Sequence, residues 1–229
     1  VHMSAGCAAL AGALFLGRRI QQEETPANIP FVILGTGLLW FGWFGFNAGS
    51  AFSAGTDAVL AFANTNLASA TAMITWIFFD RYRDRKMSAV GACIGAVVGL
   101  VAITPAAGFV SLGDSLLIGF IASLISNVCI DVFHKSGRVD DTLDVFASHG
   151  VGGMVGMVLT GVFAAEIGLT SGETETFVKH LVALAGVAVG AFGLSYGLFA
   201  LVNALIPMRV TEHQEKRGLD DSQHGEKMG

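Results

Sequence analysis

Seven stretches of this chain contain no Lys, Arg, Asp or Glu: residues 1–17, 31–50, 58–79, 87–113, 115–130, 145–165 and 181–208. A helix of about 20 apolar residues crosses the hydrocarbon core of a bilayer, so these runs predict seven membrane spans. The fifth is short. It extends by a turn, because only Val132 and Phe133 separate Asp131 from His134 and Lys135. Pro105 ends or kinks the fourth, since it lacks the N–H that a helix interior needs. No run alternates apolar and polar residues as a barrel strand would. The predicted fold is all-α, a polytopic helical bundle over residues 1–208 with a tail at 209–229.

Composition supports this reading. Hydrophobic residues make up 53% of the 229 positions and charged ones 14%, about half of what a soluble domain uses to cover itself. The net charge of -5 offers no basic face for phosphates, which excludes nucleic-acid binding. Cys7, Cys93 and Cys129 lie in apolar runs without metal-type spacing and read as small buried hydrophobes. No cofactor or metal is expected.

Orientation follows from the cations. If the spans alternate, Arg18, Arg19, Arg81, Arg83, Arg85, Lys86, Lys135, Arg138, Arg209, Lys216, Arg217 and Lys227 fall on one side and only Lys179 on the other. Cytoplasmic loops carry the excess of Lys and Arg, so the tail is expected in the cytoplasm of a multi-pass cell-membrane protein. Small residues recur at helical spacing, as in Gly91, Gly95 and Gly99, which suits close helix contacts. The chain starts at Val1-His2 in mid-pattern, so upstream sequence is expected.

Ionisable groups inside a membrane are costly and are functional candidates by default. Two histidines lie within the runs, His2 and His149, and each has a glycine four residues on, Gly6 and Gly153. They sit on the first and sixth spans, which run in opposite directions. A polar residue recurring on similar antiparallel helices suggests an inverted repeat of five helices each. Alternatively, each histidine simply bonds a backbone carbonyl. One difficulty opposes a meeting of the two: His2 lies about 24 Å of helix from Arg18, His149 about 8 Å from Asp144. Either Asp144 is recessed or the first helix projects.

Near the outer end of the second run, Trp43, Phe46 and Ser50 share a helical face. An aromatic face and a hydroxyl together can hold a small cation. An interfacial aromatic belt would look the same.

The segment Trp43-Phe44-Gly45-Phe46-Asn47-Ala48-Gly49-Ser50 resembles the signature of the Amt/Mep ammonium transporters. So do Gly91-Ala92-Cys93, Thr104-Pro105-Ala106, Arg138-Val139-Asp140-Asp141, Asp144-Val145-Phe146, His149-Gly150-Val151, and the tail motifs Gly218-Leu219-Asp220 and His224-Gly225-Glu226. The similarity runs through the whole chain in order. It implies helices 5–11 of an eleven-helix inverted-repeat protomer, a homotrimer, and one pore per protomer. His2 and His149 match the paired pore histidines. Trp43 and Ser50 match an outer ammonium-recruitment site, Phe46 part of the aromatic gate below it, and Thr104 a pore-wall position. Asp140, Asp141 and Asp144 match the cytoplasmic end of the tenth helix. The tail motifs resemble a segment that docks on the cytoplasmic face and can admit a PII-type regulatory protein. The tail departs from the family in lacking a tyrosine after His224-Gly225-Glu226.

A cation crosses hydrocarbon at high cost, whereas ammonia is neutral. The resemblance therefore implies a pore that recruits ammonium at its mouth and passes ammonia between uncharged walls, with the proton released or relayed. Imidazoles suit such a wall, because each can donate from one nitrogen and accept at the other. Potassium has no proton to shed. The competing reading is an ammonium sensor with the same fold and a blocked pore. An intramembrane hydrolase would need a nucleophile–base arrangement that the sequence does not offer, so no enzyme is expected.

Overall fold

Each apolar run becomes a helix in the computed structural model, which describes residues 1–20, 26 and 28–226. They are α1 (His2–Leu16), α2 (Ile29–Asn47), α3 (Thr56–Tyr82), α4 (Ala89–Ile103), α5 (Leu112–Ser136), α6 (Gly152–Phe163) and α7 (Glu175–Leu205), followed in the tail by α8 (Glu212–Arg217). Five spans are long and apolar enough to cross a membrane: Ile29–Ala51, Thr56–Tyr82, Leu112–Ser136, Phe146–Phe163 and Glu175–Leu205. The other two, α1 and α4, are shorter at 15 residues each. The result is a polytopic helical bundle.

Local chemistry sets the helix ends. Asn28 accepts a hydrogen bond from the Phe31 N–H, with Pro30 in the first turn, and Ser88 accepts from Gly91 N–H. Ser111 and Asp114 cap α5 reciprocally. Helix α4 stops at Ile103, two residues before Pro105; Thr104 still has helical angles, but Pro105 brings no N–H to continue the helical hydrogen bonds. The chain then turns through buried Ala106, Ala107 and Val110. Helix α5 continues past Ile130 to Ser136, further than one turn. Asp131 is no obstacle there, because both Arg83 and Arg85 pair with it.

The centre of the bundle is α3, against which α4 and α5 pack most extensively. Backbones touch at glycine: a Cβ on Gly99 of α4 or Gly119 of α5 would come within 2.5 or 2.3 Å of the Ala68 carbonyl oxygen. A seam of buried polar groups runs the length of α3. Asn47 donates to Thr65, Asn64 to the carbonyls of Ala107 and Val110, Ser69 to Ala96 O, Ser123 to Ala72 O and Asn127 to Asp80. In lipid such interhelical bonds contribute about 0.6 kcal/mol each on average. Two seam atoms, Asn64 Oδ1 and Ser126 Oγ, make no hydrogen bond among the described residues.

Around this core, α1 packs on α7, with the Phe15 ring against Tyr196 and Phe199. None of the residues of α7 is buried, which leaves long apolar faces outward. The tail turns back across the end of α1. Arg209 donates to the Leu16 and Arg18 carbonyls at 2.5 and 2.7 Å and pairs with Glu215, which accepts from the Ile20 N–H at 2.7 Å. The Leu16 carbonyl is among the ones a helix end leaves without an intrahelical partner.

Candidate pore site

His2 opens α1, and His149 sits in a π-helical turn, Phe146–Val151, that leads into α6. A π turn inserts a residue into the helical register and is frequent at functional sites. The two helices run antiparallel, and their backbones meet at glycine. The imidazole rings stack with centroids 5.8 Å apart and planes 24° from parallel.

The mismatch in helix length is absorbed by the chain before α6. At the far end of α1, Arg19 grips Asp140 through Nε, Nη2 and its backbone N–H at 2.7–2.9 Å. From Asp140 the chain turns over residues 141–144, where the Asp144 N–H donates to the Asp141 carbonyl at 3.0 Å, before it enters the π turn. Asp141 accepts from the Phe146 N–H at 2.6 Å and so caps the π turn. Asp144 adopts a left-handed φ of 53°, a conformation that short polar side chains tolerate, and its Oδ1 lies 2.7 Å from His134 Nε2. The two histidine rings thus meet despite their unequal separations from Arg18 and Asp144.

Aromatic rings enclose the pair on the α2 side. Trp43 stacks on His2 at 4.9 Å and 17°, and its Nε1–H donates to Thr104 Oγ1 at 2.9 Å. The Thr104 hydroxyl in turn donates to Leu100 O. Phe46 presents an edge to both Trp43 and His2 at 5.9 Å. His2, Trp43 and Phe46 line a largely apolar cavity of about 700 Å³. Trp43 and Ser50, expected together at an outer site, are not brought together. Trp43 is only 8% exposed and lies level with His2. Ser50 lies beyond α2 in a 3₁₀ turn (Gly49–Ala51), donates to Phe46 O at 2.6 Å, and lines a separate cavity of about 220 Å³ with Phe46, Asp57 and Thr104. A separation of seven positions in sequence places Ser50 about 10 Å further along the helix axis. Phe46 lines both spaces.

Neither imidazole makes a side-chain hydrogen bond to protein among the described residues, and both are half-buried. His180 shows the contrast. Helix α7 begins before residue 181, so His180, like His134 near the end of α5, lies within a spanning helix, and its Nδ1 lies 2.9 Å from the Met157 carbonyl. That is the structural role which the sequence alone left open for His2 and His149.

On the tail side, Asp140, Asp141, Arg19, Arg209, Glu215 and Leu219 line a cavity of about 510 Å³. The tail motifs act mostly as turns. Gly218 and Gly225 take φ values of 95° and 69°, the N–H groups of Gly225 and Glu226 bond to Asp221 and Asp220, and a π turn (Asp220–His224) joins them. The residues that fasten the tail are Arg209 and Glu215, which sequence reading passed over. It also passed over Arg19 as the partner of Asp140, and the cluster of Asp80, Arg83, Arg85, Asn127 and Asp131. Carboxylates beside apolar runs signalled a paired cluster, but nothing in the spacing named the partners.

The sequence profile of the Ammonium Transporter Family matches residues 1–228. An ammonium transporter of Aquifex aeolicus is 44% identical over 99% of this chain and 55% of its own length. The crystal structure of Candida albicans Mep2 superposes with a TM-score of 0.86 at 35% identity, covering 93% of this chain and 51% of that one. A sensor Amt protein superposes with a TM-score of 0.89 at 30% identity, covering 97% and 58%. The chain thus spans just over half the length of the relatives it matches. With a helical order, a histidine pair and a profile match that extend from one end to the other, the chain belongs to the Ammonium Transporter Family.

Proposed function

We propose that the protein is an ammonium channel or transporter of the cell membrane, with its tail in the cytoplasm. In this reading, ammonia passes the His2–His149 pair and Thr104, while Phe46 separates this space from the region around Ser50 and Asp57. Trp43 serves by stacking on His2, and Ser50 with Asp57 takes the recruiting role nearer the mouth. The observation that carries the reading is the freedom of the two imidazoles. They touch each other, and His2 also touches the Trp43 and Phe46 rings, yet both keep their hydrogen-bonding nitrogens uncommitted to protein among the described residues. Such nitrogens can accept from and donate to a small passing solute. At their contact distance two imidazolium ions would repel in a low-dielectric wall, so at most one carries a proton. Assembly as a homotrimer, and a PII-type protein at the cytoplasmic face between Asp140 and the tail motifs, belong to the same proposal.

A sensor is the second reading, favoured by the close superposition on a sensor Amt protein. The two part on flux. In proteoliposomes containing the full-length polypeptide, ammonium should enter and potassium should not. His149→Glu should admit potassium as well, because a carboxylate can hold an intact cation. Absence of ammonium flux from the unaltered protein would reject the channel and leave the sensor.

A further inference from the structure

We infer that Gly6 and Gly153 are positioning residues for the histidine pair, an inference that rests on the pore reading above. Each lies four residues after its histidine, one helical turn on and on the same face. Their contacts are reciprocal. A Cβ on Gly6, in the His2 helix, would fall 2.2 Å from Gly150 N and 3.1 Å from the His149 carbonyl carbon. A Cβ on Gly153, in the His149 helix, would fall 2.8 Å from Met3 N and 3.4 Å from the His2 carbonyl carbon. Each glycine therefore seats the backbone that bears the other helix's histidine. The opposing atoms are main chain, which cannot turn aside as a side chain can. Gly12 of α1 marks the difference, since a Cβ there would meet only the Phe199 ring, at 3.3 Å.

The side chains hang from the backbone that these glycines set. Seating a methyl group at Gly6 or Gly153 requires the helices to part by about 1 Å, with the rings carried along. Hydrogen-bond reach between nitrogens spans only a few tenths of an ångström. A displacement of that size is enough to change how a small solute, or a proton, is passed between the rings. The crossing includes the π turn itself: Gly150 within it lies against Gly6, its own Cβ position 3.4 Å from Gly6 Cα.

The test compares Gly153→Ala, Gly6→Ala, His2→Ala and His149→Ala with Gly119→Ala in proteoliposomes of the full-length polypeptide. Gly119 has an equally severe backbone overlap, 2.3 Å to Ala68 O, but joins α5 to α3 and touches neither histidine helix. The readout is the ratio of ammonium to potassium flux, which does not depend on how much protein folds. Gly153→Ala and Gly6→Ala should lower the ratio about tenfold, as expected for misplacement of a reacting group. Gly119→Ala should reduce folded yield and keep the ratio. Should Gly6→Ala, with the deeper overlap, yield too little protein, Gly153→Ala at 2.8 Å decides the matter. If both glycine variants keep the ratio while the histidine variants lose it, the inference is overturned and the pore reading stands. If the histidine variants keep it too, the pore reading itself fails.

Discussion

Two sets of buried polar side chains lie within this bundle, and they are treated in opposite ways. Along α3, donors are committed to protein: Asn64 to two carbonyls, Ser69 and Ser123 to one each, and Asn127 to a carboxylate that sits among arginines. At the meeting of α1 and α6, two imidazoles face each other across apolar and aromatic walls, with no such commitment among the described residues. An unpaired polar group in a low-dielectric interior is unfavourable. A seam that fastens helices commits most of its groups, with Asn64 Oδ1 and Ser126 Oγ left over among the described residues, whereas a site that handles a passing solute has to leave whole side chains available. The comparison separates residues that hold the fold from residues that act, using one physical criterion.

The largest expected effect tests the committed side at its most charged point. Asp131→Ala removes the carboxylate shared by Arg83 and Arg85 and should cost about 3 kcal/mol of stability, because two partly buried cations lose their partner. Thermal unfolding in detergent would measure it. The flux ratio of the protein that still folds should not change; a change would break the division between seam and site. Next comes Asn64→Ala, which leaves the Ala107 and Val110 carbonyls unpaired and should cost about 2 kcal/mol, again without altering selectivity. His180→Ala sharpens the comparison within one residue type. It deletes a single hydrogen bond to Met157 and should cost about 1 kcal/mol while leaving the flux ratio alone.

The smallest effect belongs to the tail. The Ile20 N–H donated to the Glu215 carboxylate, with Arg209 beside it, holds Glu215 below the usual glutamate range. A carboxylate whose folded value is depressed stabilises docking in full above its unfolded value of 4.5, and that contribution is lost as pH falls through the lower folded value. Protease protection of residues 209–226 should therefore be flat from about pH 7 to about pH 5 and fall below 4.5. Glu215→Gln should weaken protection throughout and flatten its pH dependence.

Much of this fold was legible because membrane helices announce themselves. Runs without charge mark the spans and Pro105 marks the end of α4, whereas the caps Asn28, Ser88 and Ser111 emerge only in the structure. The histidine pair was legible because few ionisable groups lie in those runs. What was hidden is pairing between helices. Periodicity puts Trp43 and Ser50 on one face, but only the packed bundle shows that Trp43 is at the level of His2 and Thr104 while Ser50 lies beyond. The loop from Asp140 to Asp144 was hidden for the same reason. Its length in residues was plain, but its turn depends on Arg19 and on capping of the π turn by Asp141. The seam was half visible: Asn64, Asn127 and Asp131 stood out as polar residues in or beside apolar runs, yet their partners lie 43 or more positions away in sequence.

The measurement closest to the central claim places His149→Ala beside His180→Ala in one experiment. Both are membrane-embedded histidines on packed helices, and they differ in whether the ring is committed to protein. Melting temperature and ammonium-to-potassium flux ratio would be read on the same reconstituted samples. The account predicts that His149→Ala loses ammonium selectivity with a melting temperature near that of the unaltered protein, while His180→Ala loses thermal stability and keeps selectivity. The reverse pattern, with His149→Ala unstable but fully selective, would contradict it and make the stacked pair a structural contact.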